Sequence, residues 1–306
     1  MTASQPDTRG RLRVSTWNVG SLTGKSAEVA RELKERRSDV GCLQETRWRG
    51  KGTRKIGEGM KLFWSGGREA ENGVGIVVAE HLIDKVTEVR RIGDRIMLVR
   101  IVIGMTIFSI VSVYAPQTGR PEQEKQDFYD ALDKVLDECE AVIVAGDLNG
   151  HVGSSRQGAE SVHGGFGVGE KNADGTRILD FALAYNLRIT NTWFKKPKSQ
   201  LITYCSGPAK TQVDYIMSRK KFAVAQNVKA IPVGTQHKML VTDFATDSKL
   251  PRPPKPVPRL RTFKLKEPEY RARFQEKLGE LTDIESWEEL NEIKGICRGN
   301  LWFLKR

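Results

Sequence analysis

Short runs of apolar residues, separated by glycines or clusters of charge, recur along the chain as far as residue 244. Runs of this length that are rich in Val and Ile are typical of β-strands. We predict strands over residues 11–18, 40–45, 60–65, 73–78, 96–103, 106–114 and 141–146. Apolar side chains at helical spacing predict helices over residues 26–37, 121–138 and 175–185. Long β-rich stretches with helices between them indicate an α/β sandwich of two packed sheets covered by helices.

Two stretches lack this regular pattern. Residues 150–169 are rich in glycine and predict a long loop. Residues 249–266 contain prolines at 251, 253, 254, 256 and 258 and seven Lys or Arg but no acidic residue, which indicates an extended basic linker. We therefore predict a flexible N-terminus over residues 1–10, a globular domain over 11–246, a Pro-rich linker over 247–266 and a helical tail over 267–306.

Composition favours a partner with negative charge. The 306 residues include 50 Lys and Arg against 38 Asp and Glu, a formal net charge of +12. A solvated basic surface is the simplest explanation, but an excess of this size favours a polyanionic partner, which could be DNA, RNA or anionic lipid. The 4 cysteines have no paired spacing, which argues for a reducing compartment. Because no apolar run is long enough for a membrane span or a signal peptide, we expect an intracellular protein, and the basic linker favours the nucleus.

Residues that could bind a metal end two of the predicted strands. Asn18 ends the first and Glu45 ends the second. Mg²⁺ prefers oxygen ligands and is usually held by one or two carboxylates together with a substrate phosphate. Glu45 beside Asn18 would meet that demand if the two strands are neighbours. An isolated glutamate at a strand end is more often a solvated side chain, so this interpretation depends on the remaining motifs.

A second group of polar residues could carry the hydrolysis of a phosphodiester. Asp147 and Asn149 directly follow the apolar run 141–145. An aspartate can take a proton from water and an asparagine amide can donate to a phosphate oxygen, although Gly-Asp-x-Asn is also a good turn sequence. The imidazole of His237 becomes a useful cation if the carboxylate of Asp214 holds one of its ring nitrogens.

Two other segments resemble known binding motifs only in part. Residues 20–26 are similar to a phosphate-binding loop, but Val19 stands where that loop requires glycine. Residues 165–169 contain glycines without a preceding strand, which disfavours a dinucleotide site. His151 and His163 lie in the glycine-rich stretch, and we expect both to be surface or loop residues.

Basic and aromatic residues near the motifs could contact a nucleic acid. Residues 47–55 form a predicted basic loop after Glu45, in which Arg47 could grip a phosphate and Trp48 could stack on a base. A run of charge is often only a solvated surface. We assign substrate binding to four further residues: Gln117, Arg120, Asn172 and Trp193.

The order of the motifs carries a resemblance to a known family. The chain contains Trp17-Asn18, Leu43-Gln44-Glu45-Thr46, Tyr114-Ala115-Pro116, Gly146-Asp147-Leu148-Asn149, Val213-Asp214-Tyr215 and His237. This series resembles the motifs of the endonuclease/exonuclease/phosphatase family, which includes abasic-site repair nucleases and the endonucleases of non-LTR retrotransposons. The glycine-rich loop and residues 189–194 look retrotransposon-like.

The resemblance implies a four-layer α/β sandwich of two packed mixed β-sheets, with the site at one mouth of the sheets. It implies that Asn18 and Glu45 serve a site for Mg²⁺ or Mn²⁺. Asp147 and Asn149 would then orient and activate water. Tyr114 would touch the phosphate, and Asp214 would orient His237 against the transition state. The implied activity is a divalent-metal-dependent endonuclease that nicks double-stranded DNA and leaves 3′-hydroxyl and 5′-phosphate ends.

Two departures from the family pattern bear on that activity. Members usually carry Asp directly before the terminal histidine, where this chain has Gln236. Repair-type members carry Asp two residues after the Asn of the first motif, where this chain has Gly20. The loss of two accessory carboxylates should weaken metal binding or restrict it to one ion. Two alternatives stay open: a non-catalytic module that binds nucleic acid or chromatin, and a phosphatase on the same fold.

Overall fold

The computed structural model describes residues 10–246 and the isolated positions 268 and 272. Apart from those positions, the predicted N-terminal segment before residue 10, the linker and the helical tail lie outside the described residues. The strands are β1 (Arg11–Asn18), β2 (Val40–Gln44), β3 (Lys51–Gly57), β4 (Met60–Ser65), β5 (Val74–Val78), β6 (Val86–Arg91), β7 (Ile96–Ile103), β8 (Thr106–Tyr114), β9 (Ala141–Asp147), β10 (Arg188–Ile189), β11 (Tyr204–Ser206), β12 (Ala209–Thr211), β13 (Asp214–Ser218), β14 (Val224–Ile231) and β15 (Met239–Ala245). The helices are α1 (Ser26–Glu35), α2 (Glu80–Ile83), α3 (Glu122–Asp137), α4 (Ala173–Tyr185) and α5 (Lys198–Leu201), with a 3₁₀ turn over Thr190–Thr192.

The described strands form two large mixed sheets. The first sheet has the order β14-β15-β1-β2-β5-β4-β3, and the second has the order β10-β13-β9-β8-β7-β6. Strands β11 and β12 form a separate hairpin. Neighbouring strands are antiparallel except for β1 with β2 in the first sheet and β8 with β9 in the second. These two parallel pairs matter for the site, because each brings two carboxyl-terminal strand ends to one edge.

Apolar side chains on alternate faces of the strands hold the layers together. Met97 and Val99 of β7 pack between the two sheets, whereas Ile96 and Leu98 of the same strand pack against α3 and α4. On the other side of the molecule, α1 buries an apolar stripe against the outer face of the first sheet. The order of layers is therefore helix, sheet, sheet, helix, which confirms the predicted α/β sandwich.

One prediction in the basic region is wrong. Residues 47–55 were expected to form a loop, but Lys51–Gly57 is strand β3, which pairs antiparallel with β4. Strand β3 lies at the edge of the first sheet, and Ile56 is its one buried residue. Charged residues at an exposed edge discourage pairing with another chain, which explains why this strand has the composition of a loop.

The domain closes where its first and last strands meet. Arg11 of β1 lies opposite Ala245 of β15, and the amide of Thr246 donates to the carbonyl of Gly10 at 2.8 Å. Gly10 and Thr246 both lie at the edge of the sandwich opposite the predicted site. Among the described residues, no helix combines the length and the apolar character that a bilayer span requires.

Candidate active site

Strand pairing brings the predicted site residues to one edge of the sandwich. In the first sheet, parallel pairing places Asn18 opposite Gln44, so Glu45 follows directly beside it. In the second sheet, Asp147 lies opposite Tyr114 on one side and opposite Asp214 on the other. Strand β15 runs antiparallel to β1 and begins just after His237, so the histidine returns to the same edge.

The amide of Asn18 joins the two sheets. Its Nδ2 donates to Glu45 Oε1 at 2.9 Å and to Asp147 Oδ2 at 3.1 Å. Its Oδ1 accepts from the backbone amide of Gly20 at 3.0 Å. Gly20 has a φ of +65°, a conformation that costs glycine little. This turn fixes which side of the Asn18 amide faces the carboxylates.

Glu45 is held by three donors. Its Oε1 also accepts from the phenol of Tyr114 at 3.0 Å, and its Oε2 accepts from Arg47 Nη2 at 2.9 Å. Burial alone would raise the pKa of Glu45, but the hydrogen bonds from Asn18, Arg47 and Tyr114 outweigh it and the pKa lies below its usual value. Glu45 is therefore an ionised carboxylate at neutral pH, which a metal ligand must be.

Asp147 and Asn149 form a tight turn at the end of β9. Asp147 Oδ1 accepts from the backbone amide of Asn149 at 3.0 Å, and Asn149 Nδ2 donates to the carbonyl of Ala115 at 2.9 Å. Asn149 adopts a φ of 48°, which asparagine tolerates better than most residues. Burial, followed by repulsion from Asp214, raises the pKa of Asp147 well above its usual range, although His237 opposes this shift.

Asp214 orients the imidazole of His237. His237 Nδ1 donates to Asp214 Oδ2 at 3.0 Å, and its Nε2 lies 3.8 Å from Asp147 Oδ2. Burial would lower the pKa of His237, but attraction to Asp214 and the hydrogen bond to it dominate and raise the pKa to about 9. The ring is thus a cation at neutral pH, held between two buried carboxylates.

Several residues that support Asp214 and His237 were not predicted from the sequence. Thr203 Oγ1 accepts from the backbone amides of Val213 and Asp214, each at 3.1 Å. Asn191 Nδ2 donates to the carbonyl of Asp214 at 3.1 Å. The ring of Tyr204 lies 4.7 Å from that of His237, centroid to centroid. Single Thr, Asn and Tyr residues carry no periodic pattern, so their role emerges only from the tertiary fold.

An open cleft of about 850 Å³ lies over these groups. The predicted site residues that line it are Asn18, Glu45, Arg47, Gln117, Asp147, Asn149 and His237. Tyr114 and Asp214 are buried directly beneath through their bonds to Glu45 and His237. Lys25 and His151 also line the cleft, and neither was predicted to belong to the site.

The other predicted substrate-binding residues are not among those that line the cleft. Trp48 packs edge-on against Trp64 with 5.2 Å between ring centroids. Arg120 Nε lies 4.0 Å from Oε2 of Glu124, which is a residue of α3. Asn172 caps α4. Trp193 donates to the carbonyl of Val162 at 3.1 Å and lies under Arg188.

One histidine of the glycine-rich loop lies in the interior. His163 belongs to the loop, as expected, but it is fully buried. Its Nε2 bonds the carbonyl of Gly153 at 3.2 Å, and its Nδ1 accepts from the amide of Gly165 at 3.1 Å. The ring holds two turns of this loop together, which is why a polar side chain is tolerated in the interior.

The donor atoms of the site fit a divalent metal ion. Asp147 and Asp214 each offer a carboxylate oxygen within 4.8 Å of the other, and Asp214 Oδ1 is buried with no hydrogen-bond partner. With Glu45, the available donors are carboxylate oxygens, as a hard cation requires, whereas the amide oxygen of Asn18 is already bonded to Gly20. Burial, followed by repulsion from Asp214, disfavours the charged form of Asp147, and a bound cation would favour it.

Comparison with known proteins agrees with this geometry. The model of the Endonuclease/Exonuclease/phosphatase family matches residues 15–237, which include every predicted site residue from Asn18 to His237. The chain belongs to this family. It is also 29% identical over 247 residues to craniofacial development protein 2 of Bos taurus, and this match covers 78% of the chain and 41% of that protein. The chain thus spans about two fifths of the length of the curated relatives it matches.

Solved structures of family members share the fold. The endonuclease domain of TRAS1, a telomere-specific non-LTR retrotransposon, superimposes with a TM-score of 0.58 at 16% identity, covering 77% of this chain and 99% of that domain. The 3′ phosphatase NExo from Neisseria, bound to a product DNA hairpin, gives a TM-score of 0.57 at 16% identity over 76% of this chain and 99% of that one. Family membership, expected from the order of the motifs, is confirmed.

Proposed function

We propose that this protein is a divalent-metal-dependent endonuclease that hydrolyses one strand of duplex DNA and leaves 3′-hydroxyl and 5′-phosphate ends. One observation carries the proposal. Glu45, Asp147 and His237, which come from three distant parts of the sequence, line one cleft and are linked by bonds through Asn18 and Asp214. Carboxylates, an amide and an imidazolium around one cleft suit in-line attack of water on a phosphodiester.

The roles of the side chains follow from their contacts. Asp147 Oδ2 lies at the base of the cleft between Asn18 and His237, where it can orient a water molecule and accept its proton. The imidazolium of His237, fixed by Asp214, places positive charge where the phosphoryl oxygens gain negative charge. Tyr114 holds Glu45 from beneath through its phenol, and Asn149 holds the wall beside Asp147.

Glu45 would bind the metal ion, and Asn18 would serve the metal site by holding the carboxylate of Glu45 in place. A bound Mg²⁺ or Mn²⁺ would neutralise charge on the phosphate and on the crowded carboxylates. Arg47, which bonds Glu45 at 2.9 Å and is half exposed, can turn to a substrate phosphate without leaving the cleft wall. Gln236 lines the cleft directly before His237, so the accessory carboxylate of other members is replaced here by a neutral amide.

DNA is the proposed substrate for two reasons. Lys25 and Arg47 line the cleft of a chain whose net charge is +12, and polyanions bind to such surfaces through their phosphates. Two proteins with the same fold are an endonuclease domain and a phosphatase bound to a DNA product. We also propose that the domain derives from a non-LTR retrotransposon, which its glycine-rich loop and its likeness to the TRAS1 domain support.

The proposal is tested on supercoiled plasmid with purified protein and Mg²⁺ or Mn²⁺. Nicked circles should accumulate, and DNA ligase alone should reseal them, because ligase requires a 3′-hydroxyl beside a 5′-phosphate. The matched control is Glu45→Gln, which removes a charged metal ligand but keeps the size of the side chain. Nicked circles that ligase does not reseal would refute the proposed end chemistry.

The same assay separates the proposal from its alternatives. Salt-sensitive binding of duplex DNA without cleavage in either metal would identify a non-catalytic nucleic-acid module. Faster release of phosphate from a 3′-phosphorylated oligonucleotide than nicking of plasmid would identify a phosphatase. Cleavage that Glu45→Gln leaves unchanged would point to a contaminating nuclease and remove the support for this site.

A further inference from the structure

His151 lies on the cleft wall without a partner for its side chain among the described residues. It stands two residues after Asn149, and its half-buried side chain lines the cleft with Gln117 and Thr118. Several other side chains of the cleft already have partners: Asn18 bonds Glu45, and His237 bonds Asp214 beneath the cleft. An imidazole that faces a cleft and bonds nothing there retains its donor capacity for a ligand.

The backbone of His151 is clamped by the start of α4. Its amide donates to Asn172 Oδ1 at 3.0 Å, and its carbonyl accepts from the amide of Asn172 at 3.1 Å. The same Asn172 oxygen caps the helix by accepting from Gly175 at 2.8 Å. A Cβ at Gly175 would lie 1.7 Å from the carbonyl oxygen of His151, so only glycine fits there. The clamp fixes the loop at a place where loops are otherwise adaptable.

We propose that His151 contacts a backbone phosphate of the nucleic acid next to the one that is cleaved, and that Asn172 is the residue that positions it. This inference rests on the proposed function, since it assigns a new contact to the same cleft. Gln117 and His151 give this wall amide and imidazole donors, which suit phosphodiester oxygens. Asn172, expected from sequence to touch substrate, acts instead through the backbone of His151.

The binding test uses fluorescence anisotropy with a labelled duplex oligonucleotide and EDTA, so that cleavage does not interfere. His151→Ala should raise the Kd about three- to tenfold, the effect expected from the loss of one hydrogen bond. The matched control is His81→Ala, because His81 lies on α2, outside the cleft lining. Equal Kd values for the parent and His151→Ala would overturn the proposal, whether or not the parent nicks plasmid.

A double-mutant cycle tests the role of Asn172. Asn172→Ala should weaken binding in the parent background, but it should add little in a His151→Ala background, because both changes remove the same contact. Asn172→Asp keeps both acceptor bonds and should restore most of the affinity. Equal and additive losses in the two backgrounds, with folded protein by circular dichroism, would show that Asn172 does not act through His151. Plasmid nicking by the parent reports separately on the proposed function.

Discussion

Asp147 is the residue on which the largest number of site contacts converge. Both of its oxygens are occupied, one by the backbone of Asn149 and one by the amide of Asn18, and His237 approaches from the remaining side. An aspartate in water would be a poor base at neutral pH. Burial and the neighbouring Asp214 make this one more basic, which suits a group that accepts a proton from water.

Replacing Asp147 or His237 should reduce the rate of nicking and leave the fold intact. Asp147→Ala and His237→Ala should each lower the single-turnover rate by about 10²–10⁴-fold, the range for general acid–base groups. The rate is measured on a defined duplex at saturating protein, with thermal unfolding as the check on folding. Rates within a few-fold of the parent would show that the roles are assigned wrongly.

His163 should make the stability of the fold depend on pH. Burial lowers the pKa of this ring, so below the ordinary value of 6.5 the unfolded chain binds more protons than the folded one. The free energy of unfolding therefore falls as the pH drops through that window and is restored above it. His163→Gln should flatten the dependence between about pH 7 and about pH 5, measured by urea unfolding. Parallel curves for parent and variant would contradict this.

At the scale of secondary-structure elements, a buried lysine ties two helices to the cleft wall. Lys125 of α3 bonds Asp174 at the start of α4 at 2.9 Å and the carbonyl of Thr118 at 2.9 Å. Thr118 in turn donates to the carbonyl of Asn149 at 3.1 Å. This chain of bonds connects helix packing on the outside of the second sheet to the turn that carries Asn149.

Breaking the ion pair between Lys125 and Asp174 should lower the free energy of unfolding. Lys125→Met leaves Asp174 buried without its cation and should lower the free energy of unfolding by about 3 kcal/mol, the lower end for a broken buried ion pair. The exposed Lys134 of the same helix supplies the control, since Lys134→Met should change stability little. Guanidinium unfolding measures both. If the two variants lose the same stability, the buried ion pair has no special role.

The sequence predicted the buried elements well and the exposed ones poorly. Strands β4, β7 and β8 begin and end where the apolar pattern placed them. Strands β3 and β6 were not predicted, because their residues are mostly charged or half exposed and no alternation marks them. The pattern records burial, so an edge strand that buries little leaves almost no signal.

At the scale of the whole molecule, the candidate site belongs equally to both sheets. Motif order was enough to predict which residues would meet, but not how they are held. The support from Thr203, Asn191 and the Asn172 clamp comes from segments far apart in sequence, and their bonds exist only once the two sheets have packed. Substrate contacts were the least predictable, since any exposed Trp or Arg is compatible with a solvated surface.

Binding and cleavage should separate when metal is removed. EDTA should abolish nicking, while duplex DNA should still bind through Lys and Arg, because those contacts are with phosphates and need no metal. Raising KCl from about 50 mM to about 200 mM should weaken binding at least about tenfold, as expected when several phosphates are neutralised. Anisotropy and plasmid nicking on the same samples test this. Binding that is insensitive to salt would exclude a phosphate-dominated interface.

The meeting of Gly10 with Thr246 has a practical consequence. Strand β1 runs towards the cleft and β15 runs away from it. Gly10 and Thr246 therefore both lie about 25 Å, the length of one strand, from the edge of the sheet that carries the candidate site. A fluorescent protein or a sequence-reading zinc-finger array joined at either point would leave DNA free to approach. Because Gly10 and Thr246 are hydrogen-bonded neighbours, residues 10–246 should also tolerate insertion as one unit into an exposed loop of an unrelated host protein.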